Sequence, residues 1–169
     1  LPAGTIGVRP GTQMAASDGL TVRLLGRGGH GSRPHATIDP IVMAAATVMR
    51  LQTIVSREID PREMAVVTVG AIHAGLKNNI IPAEATLELS LRYPDDDARA
   101  DVMARVERIV RAEAAASGAT EEPVITTLHS LPPTINDADA TARLPEAPKI
   151  AEAVRRRRAV GGPAEQAMA

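Results

Sequence analysis

The 169-residue chain contains no cysteine, no phenylalanine and no tryptophan. Without cysteine, its own residues cannot supply disulfides, thiolate zinc sites, iron–sulfur clusters or a cysteine nucleophile. Tyr93 is the only aromatic residue, which excludes aromatic cages and the stacked aromatic platforms of single-strand nucleic-acid binders. The core is therefore predicted to consist of Leu, Ile, Val, Ala and Met.

The chain also lacks a long apolar segment and an excess of charge of either sign. No run approaches the roughly 20 apolar residues that span a bilayer, and no basic segment followed by an apolar one opens the chain. The formal net charge is -1. We therefore expect a cytoplasmic protein that binds neither membranes nor nucleic acid. The four consecutive arginines at 155–158 are compatible with a nucleic-acid patch, but a solvated tail is the favoured interpretation.

The hydrophobic pattern predicts six elements in the order strand, helix, strand, strand, helix, strand. Alternation in Leu20, Val22 and Leu24, and again in the leucines of the third strand, is typical of strands with one buried face. The first helix is predicted to begin at Asp39-Pro40 and the second to end at Gly118. The predicted strands cover residues 18–26, 64–74, 86–92 and 123–131, and the predicted helices cover residues 40–57 and 95–118.

This order predicts an α+β fold of the ferredoxin-like split βαβ type, a sandwich of a four-stranded antiparallel sheet with two helices on one face. Right-handed crossovers place the first strand beside the third. The loop that carries His30 is therefore expected to lie next to the loop that carries Asn79.

The first helix is more apolar than one sheet contact requires. Its predicted buried face consists of Ile41, Ala44, Val48, Leu51 and Val55. Further apolar side chains at positions 42, 43, 49 and 54 widen the stripe, which favours a second packing partner such as another subunit.

The His30 loop matches several chemical motifs without their usual context. Residues 26–31 read G-x-G-x-x-G, but the helix starts too late for a dinucleotide site. His30, His35 and Asp39 are candidate metal ligands, yet two imidazoles are few for such a site. Ser32 is interpreted as a loop residue because no nucleophile elbow surrounds it. Arg92 is suited to holding a substrate carboxylate and is equally compatible with a surface arginine.

Four segments together carry a resemblance to a known family: residues 26–35 (GRGGHGSRPH), Asp39-Pro40, residues 51–58 (LQTIVSRE) and residues 75–82 (GLKNNIIP). They resemble the lid, or dimerisation, domain of the metal-dependent aminoacylase, hippurate hydrolase and carboxypeptidase family of amidohydrolases. The match covers about residues 4–119. It implies that residues 1–17 end a catalytic-domain strand and form a linker, that 18–131 are the lid domain, and that 132–169 are a tail outside the fold.

The resemblance implies hydrolysis of N-acyl amino acids at a two-metal centre, of zinc or manganese, that this chain does not supply. It implies that His30 and Asn79 contact the substrate oxyanion across a homodimer, and that Gly28, Gly29 and Gly31 let the backbone place His30. It also implies that Arg92, Gly29 and Gly31 are substrate-binding residues. The missing catalytic domain would hold the metals and the general base, so the segment is expected to be inactive alone. The alternative is a free-standing ferredoxin-like module that binds a small acid through the same loops.

Overall fold

A computed structural model describes residues 7–144 of the chain. The strands are β1 (Gly11–Met14), β2 (Ala16–Leu25), β3 (Gly29–His30), β4 (Val66–Ala74), β5 (Ile80–Ile81), β6 (Glu84–Tyr93), β7 (Val124–Leu131) and β8 (Thr134–Asn136). The helices are α1 (Pro40–Thr53), α2 (Asp96–Ala116) and α3 (Ala138–Arg143), with a 3-10 turn at Pro34–Ala36 and a π-helical turn at Ile54–Glu58. Residues 15–133 form one unit, and the described part of a second unit consists of residues 7–14 and 134–144.

The main unit is built on a four-stranded sheet in the order β4-β6-β2-β7, in which each neighbouring pair is antiparallel. Strand β2, the first of the predicted strands, lies beside β6, the third. The predicted ferredoxin-like topology is therefore confirmed. Strand β6 alternates buried and more exposed residues, and β2 does so from Leu20 onward, because one face of the sheet is covered and the other is more open. Residues 16–19 of β2 are all buried.

Both long helices begin at an aspartate that caps the first turn. The Asp39 carboxylate accepts a hydrogen bond from Ile41 N at 2.8 Å, and the Asp95 carboxylate accepts one from Ala98 N at 2.9 Å. Helix α2 ends before Gly118, whose φ of 75° lies in the left-handed region that glycine tolerates. The capping residues and this glycine are those expected from the sequence.

The core lies between the two helices and one face of the sheet. Strands β2 and β6 supply alternate leucines, and α2 supplies Val102, Val106, Ile109 and Val110, the buried face predicted for it. Each fully buried aliphatic side chain of this kind stabilises the fold by about 1.5–3 kcal/mol relative to exposure. In the described part of the chain, no helix has the length and apolarity that crossing a bilayer would require.

The buried face of α1 differs from the predicted one. The helix buries Pro40, Met43, Ala44, Thr47 and Leu51. Ile41 and Val55, predicted to be buried, are 43% and 41% exposed, and Val42 and Met49 are 63% and 72% exposed. Ala44 and Leu51 are buried as predicted and Val48 packs against the core, so the prediction was wrong for Ile41 and Val55. Nearly every side of this helix is apolar, and the pattern therefore cannot fix its rotation closely.

The second unit contains β1, in the segment expected to end a strand and form a linker, and β8 and α3, in the segment expected to be a tail. Strand β1 pairs antiparallel with β8, and α3 follows Asp137, whose carboxylate accepts a hydrogen bond from Ala140 N at 2.7 Å. Both β1 and β8 are only three to four residues long, too short for periodicity to reveal them. The arginines at 155–158 lie outside the described residues.

Candidate functional site

The loop after β2 and the loop after β4 meet in a small antiparallel ribbon. Gly29 pairs with Ile81, and His30 pairs with Ile80. Gly31 N donates a hydrogen bond of 2.8 Å to Asn79 O. Two segments about fifty residues apart are thus joined main chain to main chain, and His30 and Asn79 lie at the same end of the sheet.

Two glycines allow this close approach. A Cβ atom on Gly28 would lie 2.8 Å from Ile81 O, and one on Gly31 would lie 3.1 Å from Asn79 O. Both neighbouring atoms belong to the main chain, so they cannot turn aside as the end of a flexible side chain could. Because glycine has no Cβ atom, Gly28 and Gly31 allow the two loops to lie this close together.

The ring of His30 is held by the residue two positions later. Its Nδ1 accepts a hydrogen bond from Ser32 N at 3.2 Å and lies 2.8 Å from Ser32 Oγ. A main-chain N–H can only donate, so Nδ1 of the neutral ring carries no proton and Nε2 does. The exposed imidazole therefore presents Nε2–H as a donor.

Asn79 contributes a second donor group at the same place. Its main-chain oxygen is used by Gly31, while its side chain is exposed and has no hydrogen-bond partner within residues 7–144. An amide group and an imidazole N–H are both neutral hydrogen-bond donors. The two loops together are suited to contacting an oxygen atom on which negative charge develops.

Arg92 lies far from this pair. It is near the end of β6, opposite Ser17 at the start of β2, whereas the Asn79 loop precedes the first residue of β6, Glu84. Eight residues of strand from Glu84 to Arg92 correspond to roughly 26 Å. The structure brings His30 and Asn79 together but does not bring Arg92 to them within one chain.

The Arg92 side chain reaches over the open face of the sheet. Its Nη1 donates to Ser17 Oγ, to Ser90 Oγ at 3.1 Å and to Leu91 O at 2.9 Å. These acceptors hold the half-buried guanidinium in place above β2. All of them are neutral.

A buried ionic cluster fixes the strand ends on the other face. The Asp18 carboxylate accepts hydrogen bonds from Tyr93 Oη and from Arg99 Nε, the latter at 2.7 Å. Burial alone raises the pKa of Asp18, but hydrogen bonds from Ser130, Tyr93 and Arg99 outweigh that effect and hold the pKa below its usual value. Burial, followed by the hydrogen bond to Asp18, raises the pKa of Tyr93 to about 12.

Residues 16–117, which contain the elements from β2 to α2 but not β7, match the family described as a peptidase dimerisation domain. The chain belongs to this family. The family resemblance in the sequence is thereby confirmed.

The chain is similar to parts of several larger enzymes. It is 42% identical over 122 residues to an N-acyl-L-amino acid amidohydrolase of Geobacillus stearothermophilus, covering 72% of this chain and 33% of that protein. It is 41% identical over 110 residues to a hippurate hydrolase of Campylobacter jejuni, covering 65% of this chain and 29% of that protein. The chain spans about a third of the length of the curated relatives it matches.

Among solved structures, the chain resembles part of a dinuclear metal-binding peptidase of the M20 family from Bacillus subtilis. The TM-score is 0.61 at 30% sequence identity, and the match covers 86% of this chain and 36% of that one. The four-stranded antiparallel sheet with two helices is therefore the fold of a known dimerisation domain.

The residues present do not fit the dinuclear metal centre of that relative. Asp39 is engaged as the cap of α1, and His30 Nδ1 is engaged with Ser32. In the described range of residues 7–144, no group of three or more histidine, aspartate or glutamate side chains is placed to hold a metal ion. No step of the chemistry is assigned here to a metal held by the dimerisation domain.

The alternation along β2 already indicated where the side chains of Asp18 and Ser17 face, but the sequence analysis did not use it. Asp18 shares the parity of Leu20, Val22 and Leu24 along β2, so its carboxylate had to face the core and required a partner there. Ser17, one residue earlier, had to face the open side and could reach Arg92. The partners Tyr93 and Arg99 depend on the register of β2 against β6, which the alternation leaves open.

Proposed function

We propose that the chain is the lid and dimerisation segment of a metal-dependent amidohydrolase that hydrolyses N-acyl amino acids, and that it is inactive without the catalytic domain. The similarity to an N-acyl-L-amino acid amidohydrolase and to a hippurate hydrolase supports this substrate class. The observation that carries the proposal is the ribbon that brings the His30 and Asn79 loops together, each with a side chain that can donate a hydrogen bond. Zinc or manganese, bound by the catalytic domain, is expected in the complete enzyme.

In this proposal His30 and Asn79 act on the amide carbonyl of the substrate. Attack on the carbonyl carbon moves negative charge onto its oxygen. The Nε2–H of His30 and the side-chain N–H of Asn79 donate hydrogen bonds to that oxygen, and such a donor contributes about 2.7–4 kcal/mol to lowering the barrier. Gly29 and Gly31 hold the loop that carries the imidazole, as the pairing with β5 supports.

Arg92 binds the carboxylate of the amino-acid part of the substrate in the same proposal. An N-acyl amino acid spans only about 7–11 Å when extended. The separation of roughly 26 Å along β6 therefore prevents Arg92 and Asn79 of one protomer from reaching one substrate. In a homodimer, Arg92 of one protomer and the His30 and Asn79 loops of its partner can serve the same active site.

The dimer is proposed to form through α1 and the edge strand β4. Between them lies an apolar groove of about 420 Å³, with Val48, Met49, Val69 and Ile72 among its lining residues. Strand β4 is at the edge of the sheet, so one row of its main-chain groups is free to pair with another strand. The excess apolar surface of α1, 72% exposed at Met49, gives the contact its hydrophobic component.

The proposal is tested by assaying the full-length enzyme and the 169-residue chain side by side on a panel of N-acyl amino acids, with zinc and manganese supplied. Hydrolysis by the full-length enzyme and none by the chain alone is the expected result. Failure of the full-length enzyme to hydrolyse any member of the panel would reject the proposed substrate class.

One observation favours the alternative of a small-molecule binding module. The Asn79 loop borders a cavity of about 530 Å³, lined mostly by apolar side chains such as Leu76, Ile80 and Pro82. This volume is in the range of small-molecule sites. Calorimetric binding of an acyl amino acid at micromolar affinity by the 169-residue chain alone would support this alternative.

A further inference from the structure

Arg92 differs from the other half-buried arginines of the described chain in the charge of its partners. Arg99 pairs with the Asp18 carboxylate at 2.7 Å, and Arg105 pairs with the Glu58 carboxylate at 2.8 Å. Arg92 is half-buried as well, yet within residues 7–144 it forms no ion pair and donates only to neutral oxygens. A partly desolvated guanidinium without a counter-charge favours binding of an anion.

His129 approaches the same place from the other side of β2. It lies on β7, opposite Gly19, and its ring occupies the space that a side chain at position 19 would need. A Cβ atom on Gly19 would lie 2.4 Å from Cε1 and 2.7 Å from Nδ1 of the ring. Because glycine weakens a strand interior, its presence here is explained by the imidazole that lies against it.

The guanidinium and the imidazole converge over neighbouring positions of β2. Arg92, on β6, is hydrogen-bonded to Ser17, and His129, on β7, covers Gly19. Ser17 and Gly19 are two residues apart on one strand, so they face the same side of the sheet at a spacing of about 6.7 Å. The two donor groups therefore lie over neighbouring positions on one face of β2.

The ring nitrogens of His129 are available for hydrogen bonding to a ligand. No hydrogen-bond partner of its ring nitrogens occurs among the described residues, and the side chain is exposed. The imidazole can therefore donate an N–H to a ligand whether it is neutral or protonated. Arg92 can donate the N–H groups of its planar guanidinium other than those on Nη1.

We propose that Arg92 and His129 form a two-sided carboxylate clamp over β2, which binds the free carboxylate of the N-acyl amino acid. The assignment of the ligand to the substrate rests on the proposed function, whereas the clamp itself rests on the geometry over Ser17 and Gly19. His129 is the new residue in this assignment. It makes the enzyme selective for acyl amino acids with a free carboxylate over their neutral amides.

The clamp is tested by titrating the 169-residue chain with N-acetylglycine and with its neutral analogue N-acetylglycinamide, followed by nuclear magnetic resonance. We expect wild-type protein to bind the carboxylate at least about tenfold more tightly than the amide, and His129→Ala to lose about tenfold in affinity for the carboxylate only. His129→Gln, which keeps an N–H donor, should recover part of the loss. His73→Ala changes a histidine on the same open face, near the other end of the sheet, and should bind like wild type.

Equal affinity of wild type for the two ligands, or unchanged carboxylate binding by His129→Ala, would overturn the clamp. Absence of any N-acetylglycine binding at tens of millimolar would overturn it as well. Gly19→Ala adds an independent test, because its methyl group must displace the ring. It should weaken carboxylate binding in the wild-type background and have little further effect in the His129→Ala background. An equal loss of carboxylate affinity in both backgrounds would show that displacement of the His129 ring is not the cause of the loss.

Kinetics of the full-length enzyme separate this proposal from the proposed function. If the enzyme hydrolyses acyl amino acids and His129→Ala leaves kcat/KM for them unchanged, the clamp is wrong and the function stands. If the enzyme hydrolyses none of them while the chain binds N-acetylglycine through His129, the clamp stands as an acid-binding site and the function is wrong.

Discussion

Gly31 N donates a hydrogen bond of 2.8 Å to Asn79 O, which joins the two loops that carry the proposed oxyanion contacts. The bond belongs to a short ribbon in which His30 also pairs with Ile80. Since both bonds are main chain to main chain, the positions of His30 and Asn79 are coupled. Anything that moves one loop is expected to move both candidate donors.

The first prediction concerns the donors themselves. In the full-length enzyme, His30→Ala or Asn79→Ala should lower kcat by a hundredfold or more, because each removes one donor to the developing oxyanion. Metal content, measured by elemental analysis, should remain that of wild type. Wild-type turnover in either variant would remove that residue from the site.

The second prediction concerns the spacing of the loops. Gly28→Ala places a methyl group 2.8 Å from Ile81 O, so the ribbon must open and turnover should fall at least about tenfold with little loss of stability. Gly70→Ala is the matched control, because its Cβ atom would meet nothing closer than Glu88 O at 3.8 Å. Since Gly70 lines the groove between α1 and β4, the two variants are compared at equal dimer content. Similar turnover in the two variants would mean that the close approach at Gly28 does not position the donors.

The third prediction concerns the dimer interface. Met49→Glu and Ile72→Lys place charges in the apolar groove between α1 and β4, so either substitution should shift the protein toward monomer. Sedimentation at tens of micromolar measures the change. Leu128→Glu is the control, because Leu128 is also well exposed but lies on β7, the opposite edge strand. A wild-type monomer, or equal dissociation of all variants, would contradict the proposed interface.

The fourth prediction uses Tyr93 as a spectroscopic reporter, because it is the only aromatic residue of the chain. Ultraviolet absorbance of tyrosinate should show a midpoint near pH 12 in the folded protein and about 10 in denaturant. Because folding raises the pKa of Tyr93, the neutral phenol stabilises the folded state at any pH below 10. This contribution to the free energy of unfolding is on the order of 2–3 kcal/mol and is lost as the pH rises toward 12.

The matched variants separate this effect from other alkaline titrations. Tyr93→Phe should lack the additional loss of unfolding free energy between pH 10 and 12. Asp18→Asn should lower the tyrosinate midpoint and reduce the unfolding free energy by about 3 kcal/mol at neutral pH, because Arg99 loses its partner. A folded-state midpoint near 10 in wild type would show that Tyr93 is not held as described.

Local patterns identified most of the elements of the main unit. Alternating apolar residues gave β2 and β6, and Asp39 with Pro40 marked the start of α1, because strand parity and helix capping depend on near neighbours. The order of the elements and the handedness of crossovers then placed the His30 loop beside the Asn79 loop, as the ribbon between β3 and β5 confirms.

Other features could be decided only by contacts distant in sequence. The burial of Ile41 and Val55 was mispredicted, since a helix that is apolar on nearly every side is oriented by the core it packs against. Strand β8 was missed, because three residues become a strand only when β1 pairs with them. The partners of Asp18 and Arg92 likewise depend on the register of β2 against β6.

The sequence by itself determined the fold class from periodicity and capping, the family from the resemblance of its short motifs, and the proximity of the His30 and Asn79 loops from the order of the elements. Only the tertiary structure decided that Arg92 lies roughly 26 Å of strand away from them and that His129 lies against Gly19. Both relations are set by the pairing of strands far apart in the chain, and a local pattern carries no information about that register.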